Sequence, residues 1–215
     1  MKKYFALMGI SERKERQKAE LREQILSAAR EIVLRDGFAA LTMRKIADAI
    51  EYAPATLYLY FENRDEIAKQ LCIQGYQELL DFLQPVVAIP DPRDRLIVLA
   101  ESYVRFGMTH AATYRLIFME DPKITSAALA AVPIDASNGP AMQAFQLLVH
   151  VFDDLKANHG LVMDADSTRF AQLLWTSLHG IVSLKLTCSS FLATSAEELV
   201  KIMTHTFLAG LPQDH

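Results

Sequence analysis

Between residues 42 and 64 the chain sets hydroxyls and cations among small and apolar residues. Tyr58, Tyr60 and Arg64 can each reach a phosphate oxygen, and Thr42 and Arg44 can approach the backbone and the edge of a groove. Such contacts hold a protein in register on a duplex without reading it. Ala55, Thr56 and Leu59 lie among them and point outward if the segment is helical. They are too short or too apolar for bidentate guanine readout, but they suit the methyl group of thymine. Double-stranded DNA is the polymer that this combination fits. For Tyr58, Tyr60 and Arg64 the alternative is packing or a solvated charge.

A second set lies further along. Tyr103, Phe106, His110, Phe118, Met119, Met142, Phe145, Leu148, Phe152 and Trp175 are large apolar groups with few polar ones among them. Small-molecule pockets have this make-up, and so does ordinary helical core. Enzyme chemistry has little to stand on. The six histidines form no HxxxH pair, and no phosphate-cradling glycine loop or nucleophile elbow is present. Asp153-Asp154 reads as a solvated acidic pair. No metal or cofactor is expected.

The elements that must position these groups are helices. Thr42 is an N-cap, and Ile46, Ala47 and Ile50 follow at helical spacing. Glu51-Tyr52-Ala53 breaks the pattern, and Pro54 opens a second short helix that runs to Tyr60 or Phe61. Leu57 and Phe61 face inward together. Two short helices joined by a tight turn read as a helix-turn-helix. Before them, Leu21, Ile25, Ala28, Ala29, Ile32 and Val33 form a helix that Gly37 ends. After them, Asn63 and Glu66 make a capping box for a helix that Pro85 stops.

The segment 57–67, with Leu57-Tyr58, Tyr60-Phe61 and then Asn63-Arg64-Asp65-Glu66-Ile67, resembles the TetR family of transcriptional regulators. The resemblance covers roughly residues 21–71. It implies the DNA-contacting roles given above. The chain departs from the family in having Glu51 where Gly is frequent in the turn, Ala53 where Ser is frequent, and Pro54 where basic or small residues are common. The base preference therefore does not carry over. Trp175, His179 and Gly180, together with residues 114–118, are similar to a subgroup of TetR-like C-terminal domains with a Trp-His-Gly signature. The resemblance also implies that the last two helices pair with their copies in a dimer. Leu174, Leu178, His179, Ile181, Leu184, Leu199, Ile202, Met203 and Phe207 would supply that surface, with Leu173 beside them. Gly180 within a helix suggests a close approach by another helix.

The remaining sequence reads as helices too. One starts at Asp91-Pro92, a short one covers 113–119, and one opens at Pro140 and closes at Gly160. Two more cover 166–189 and 196–209, the second behind a Thr194-x-x-Glu197 box. Residues 124–132 are helix or loop. The expected fold is all-α, with a three-helix helix-turn-helix head, a connector helix, and a helical body for effector binding and dimerisation. The expected parts are a flexible arm over 1–17, the head over 18–66 and the body over 67–215. Alternating charges around Arg13, Lys14, Arg16 and Lys18 also suit a solvated helical extension.

At 215 residues and 51% hydrophobic, the chain can bury a substantial core, yet it has no run of about 20 apolar residues to span a bilayer. The net charge of −4 hides an asymmetry. Residues 1–69 hold 13 basic against 11 acidic side chains, and residues 70–215 hold 9 against 15. Cys72 and Cys188 lie far apart and read as buried thiols of a cytoplasmic protein. The reading is a cytoplasmic, homodimeric repressor that binds a palindromic operator and is released by a small apolar effector. The alternatives are a DNA-binding or interaction protein without an effector, and a helical enzyme. A ligand tilting the connector against the helix of Phe106 would make Gly107 a sensitive point.

Overall fold

The computed structural model describes residues 2–120, 139–159 and 166–211, with side chains from Glu12 onward except at 158 and 159. The expectations for residues 124–132 and for Gly160 lie outside them. Nine α-helices carry the described chain, and no strand occurs among these residues. They are α1 (Lys2–Asp36), α2 (Met43–Ala49), α3 (Pro54–Leu57), α4 (Arg64–Leu83), α5 (Pro92–Thr109), α6 (Ala111–Phe118), α7 (Pro140–His159), α8 (Ser167–Thr187) and α9 (Ala196–Ala209). The chain forms two compact units, and the boundary between them falls within α4, after Cys72.

In the first unit, α1 buries Ile25, Leu26, Ala29, Ile32 and Val33 along one stripe, as its spacing predicts. The arm expected over residues 1–17 is instead helical from Lys2. Opposite charges at i,i+4 support such an extension, as in Arg16 and Glu20, 3.8 Å apart. Gly37, at φ 78°, ends the helix, and its N–H donates to the Val33 carbonyl. Phe38 then plugs the space between α1 and α2 from a short 3₁₀ turn. Thr42 caps α2 by accepting from the Lys45 N–H at 3.1 Å.

The turn between α2 and α3 holds Glu51 at φ 59°. This is the left-handed region, which costs an ordinary residue about 1–2 kcal/mol. The TetR-like pattern has Gly at this position, so the departure carries a strain. Glu51→Gly should stabilise the head by up to about 1 kcal/mol, since glycine's larger unfolded-state entropy cancels part of the relief. Its thermal midpoint should rise by a few degrees, and a fall would mean that the Glu51 side chain holds the turn by a contact of its own.

The α-helical part of α3 ends at Leu57, short of the expected Tyr60. The backbone tightens there, with Leu59 N–H bonded to Thr56 and Tyr60 N–H to Leu57. Asn63 caps α4 through the Glu66 N–H at 2.9 Å, and the Glu66 carboxylate reaches back to the Glu62 N–H at 2.6 Å.

In the second unit α5 runs against α7, α8 and α9. Asp91 caps it by accepting from the Arg93 and Asp94 N–H groups. The cap of α9 is Ser195, one residue later than the Thr194 box suggested, and it accepts from the Glu198 N–H. Asp153 and Asp154 are not a free solvated pair. Asp154 meets Arg95 at 2.5 Å, and Asp153 accepts from the Ser167 hydroxyl at the start of α8. Cys72 is buried, which pushes its thiol up to about 12, whereas Cys188 is exposed.

Candidate nucleic-acid interface and the polar-aromatic site of the body

The head brings its candidate residues to the start of α2, to α3 and the turn after it, and to the start of α4. Arg44 lies exposed in the first turn of α2, 4.0 Å from Asp48. Ala55 is exposed on α3, Tyr58 is 56% and Leu59 76% exposed, and Thr56 is half-buried. Leu57 and Phe61 are buried beneath them, and the Arg22 guanidinium lies 4.9 Å from the Phe61 ring centre. Burial of Leu57 and Phe61, four residues apart, thus fixes which side chains look outward. Arg64 has a second task. Its Nη1 donates to the Leu41 carbonyl at 3.3 Å and its Nε lies 3.2 Å from Asp65, so it ties the start of α4 to the loop before α2. Tyr60 is half-buried and lines an open groove of about 530 Å³ with Tyr52, Lys14, Lys18 and Gln24. Residues 14–24 of α1 supply most of that groove. Sequence spacing did not link α1 to Tyr60.

In the body, the aromatic residues expected as one pocket divide into three groups. Phe106 stacks on His110 at 4.9 Å, and both meet Phe82. Phe152 packs on Phe170 and Phe207. Tyr103, Phe118, Phe145 and Trp175 come together with Tyr114 and His179. Met142 is exposed and accepts a long bond from Gln146, and Met119 is half-buried at the end of α6. Phe106, His110, Phe152 and Met142 thus stand apart from the third group, because the side of its helix decides each residue's neighbours.

That third group is tied by hydrogen bonds. Trp175 Nε1–H donates to the Tyr103 hydroxyl at 3.0 Å. Tyr103 and Tyr114 hydroxyls are 3.2 Å apart, and the Tyr114 hydroxyl is 2.6 Å from His179 Nδ1. An indole N–H can only donate, which sets the direction. If Tyr103 accepted from both Trp175 and Tyr114, its own buried proton would have no acceptor, at a cost of about 1–3 kcal/mol. The arrangement that satisfies every proton runs Trp175 to Tyr103 to Tyr114 to His179 Nδ1. Burial raises the pKa of both phenols and lowers that of His179, consistent with phenol donors and a neutral imidazole.

The expected dimer surface needs correction. Leu174 and Leu178 are fully buried in this chain's own core, together with Ala171 and Val182, so they cannot face a partner. His179 turns inward to Tyr114, on the flank of α8 that carries Trp175. On the outward side of α8, Leu173 and Leu184 are exposed with Gln172, Thr176 and Thr187, and Ser177 and Gly180 lie half-buried between them, at i+4 and i+7 from Leu173. A methyl at Gly180 would meet no atom within 4 Å beyond its own helix, so no close helix within the chain accounts for this glycine. Leu184 is 46% exposed, as is Ile202 on α9 at 56%, while Ile181, Leu199, Met203 and Phe207 are half-buried.

No described helix is long and apolar enough to cross a membrane, and no group of metal-binding side chains occurs among the described residues. Two family models match the chain. One describes bacterial regulatory proteins of the tetR family and covers residues 25–71. The other describes a tetracyclin repressor-like C-terminal domain and covers residues 96–207. An uncharacterised HTH-type transcriptional regulator of Haemophilus influenzae is 43% identical over 67 residues, which are 31% of this chain and 36% of that protein. The chain thus spans about a third of that relative's length. Another such regulator, from Mycobacterium tuberculosis, is 24% identical over 77% of this chain and 70% of its own length. A Rhodococcus protein of unknown function superposes with a TM-score of 0.71 at 25% identity, covering 90% of this chain and 96% of that one. The regulator FadR of Bacillus subtilis, in complex with stearoyl-CoA, superposes with a TM-score of 0.70 at 14% identity, covering 88% of this chain and 98% of that one.

Proposed function

Because the chain belongs to the TetR family of bacterial regulatory proteins, we propose that it is a dimeric, ligand-responsive repressor that binds a palindromic operator. The observation that carries this reading is the exposed side of α3 and of the turn after it, where Ala55, Tyr58 and Leu59 stand clear of the core, with Arg44 exposed on α2. Inserted in a major groove, Ala55, Thr56 and Leu59 meet base edges, while Thr42, Arg44, Tyr58, Tyr60 and Arg64 lie toward the backbone. The body then serves as the receiver of a small apolar effector. An effector acts only by its differential affinity for DNA-competent and DNA-incompetent states, commonly 1–3 kcal/mol of coupling. A neighbour of the same fold that holds stearoyl-CoA, whose acyl chain is apolar, supports an effector with an apolar part.

Selection of bound duplexes from a random library tests the reading. The expected product is an inverted repeat, and no enrichment of any sequence would overturn it. On the selected site, Arg44→Ala should weaken operator and random DNA about equally. It should also lower the slope of log affinity against log salt by about 0.9, the value for one phosphate contact. Tyr58→Phe should weaken both DNAs without changing that slope. An unchanged slope for Arg44→Ala would remove Arg44 from the backbone contacts.

A further inference from the structure

The relay ends on one ring nitrogen of His179 and thereby defines the other. With Nδ1 accepting from Tyr114, the neutral imidazole must carry its proton on Nε2. Among the described residues no protein group takes that proton, and no buried polar side-chain atom lacks a partner, so Nε2 reaches solvent. Phe118 and Trp175 stand beside this imidazole and Phe145 beside Trp175, each only partly buried. Phe118 lies 5.4 Å and Trp175 6.0 Å from the His179 ring, and Phe145 lies 6.3 Å from Trp175. Here one aimed N–H sits among apolar faces, as in a site that orients an amphipathic small molecule.

We infer that His179 is the polar anchor of the effector site, donating Nε2–H to a carbonyl or carboxylate oxygen of an apolar molecule that lies on Phe118, Phe145 and Trp175. This rests on the ligand-responsive reading above and narrows its ligand class. Tyr103 and Tyr114 are positioning residues. They hold the imidazole in one tautomer, so that it presents a donor and not a lone pair. A ligand whose head lacks an acceptor leaves the donor unpaired once water is displaced, and it should bind less well.

Trp175 is the only tryptophan of the chain, so its fluorescence reports on the site. The full-length protein is titrated with hexanoate, decanoate and tetradecanoate, with 2-decanone, and with decyltrimethylammonium as the head without an acceptor. At least one carboxylate or the ketone should give a saturable change, and decyltrimethylammonium should bind about tenfold or more weakly, as expected for the loss of one hydrogen bond. Comparison of decanoate with 2-decanone shows whether charge on the acceptor adds affinity. His179→Phe should lose about tenfold or more for the acceptor ligand. His179→Gln, whose amide can both accept from Tyr114 and donate outward, should retain most of the affinity, and thermal unfolding shows that each variant is folded. The site is overturned if no acceptor ligand binds, if the ammonium compound binds equally, or if His179→Phe binds as the parent does. The same ligands are then added to the operator complex. Binding through His179 without release of DNA would uphold the site and sink the effector role. Release of DNA by an apolar compound to which His179→Phe still responds normally would do the reverse.

Discussion

Leu184→Glu should sediment as a monomer at concentrations where the parent chain is a dimer, and Ile202→Glu should do the same. Both side chains are about half exposed in the single chain and outside its core, so neither change leaves a charge buried within it. In a dimer built on the outward side of α8, each copy would bury an unpaired carboxylate, at a cost of several kcal/mol. A monomer meets only one half of a palindrome, so operator affinity should fall on the order of a hundredfold or more. Gly180 on that side would let two helices approach closely. Sedimentation velocity with far-UV circular dichroism checks both points. An intact dimer for both folded variants would show that the copies meet elsewhere.

The second large effect is expected at Gly107. Its sequence position on α5 suggested a packing point against the connector helix, where added bulk would alter the effector response. The structure sets it against α8 instead. A Cβ at residue 107 would lie 2.4 Å from one methyl of Val182, 2.9 Å from the other and 3.2 Å from the Tyr114 ring. Val182 is fully buried and β-branched, so it has almost no rotamer freedom with which to yield. Gly107→Ala should therefore destabilise the body by about 1–3 kcal/mol and lower its thermal midpoint by about 2–4 °C per kcal/mol. Gly107→Leu should prevent the body from folding. Adding Val182→Ala to Gly107→Ala should recover part of the loss, which a double-mutant cycle measures. A Gly107→Ala protein that melts with the parent would mean that α5 and α8 can separate freely here.

Local chemistry was legible in the sequence wherever both partners lie within about four residues. Thr42 with Lys45, Asn63 with Glu66, and Asp91 with Asp94 are such caps, and each is made. Periodicity likewise identified the buried stripe of α1 and the inward pair Leu57 and Phe61, so the head was readable almost entirely. Glu51 stood out because the turn there suits glycine, and its positive φ shows why. The Ser195 cap lies one residue from the expected one, because neighbouring hydroxyls compete for the same unsatisfied N–H groups, and α3 ends early because its last carbonyls are taken by i→i+3 bonds.

Tertiary structure alone decided the rest. An apolar helix position at the right spacing favours burial, but does not say whether the chain's own core takes it. Leu178 and Leu184 are both leucines of α8, yet one lies in the core and the other faces out. The body's working groups also meet across long stretches of chain. Tyr103 bonds to Trp175 across 72 residues, and Tyr114 to His179 across 65. Helical spacing constrains what lies three or four residues away and says nothing at those separations. The sequence by itself therefore determined most of the helices, the helix-turn-helix head and the family. Only the packing of α5, α6 and α8 turned a Trp, two Tyr and a His into one directed relay, because hydrogen-bond direction depends on which atoms meet in space.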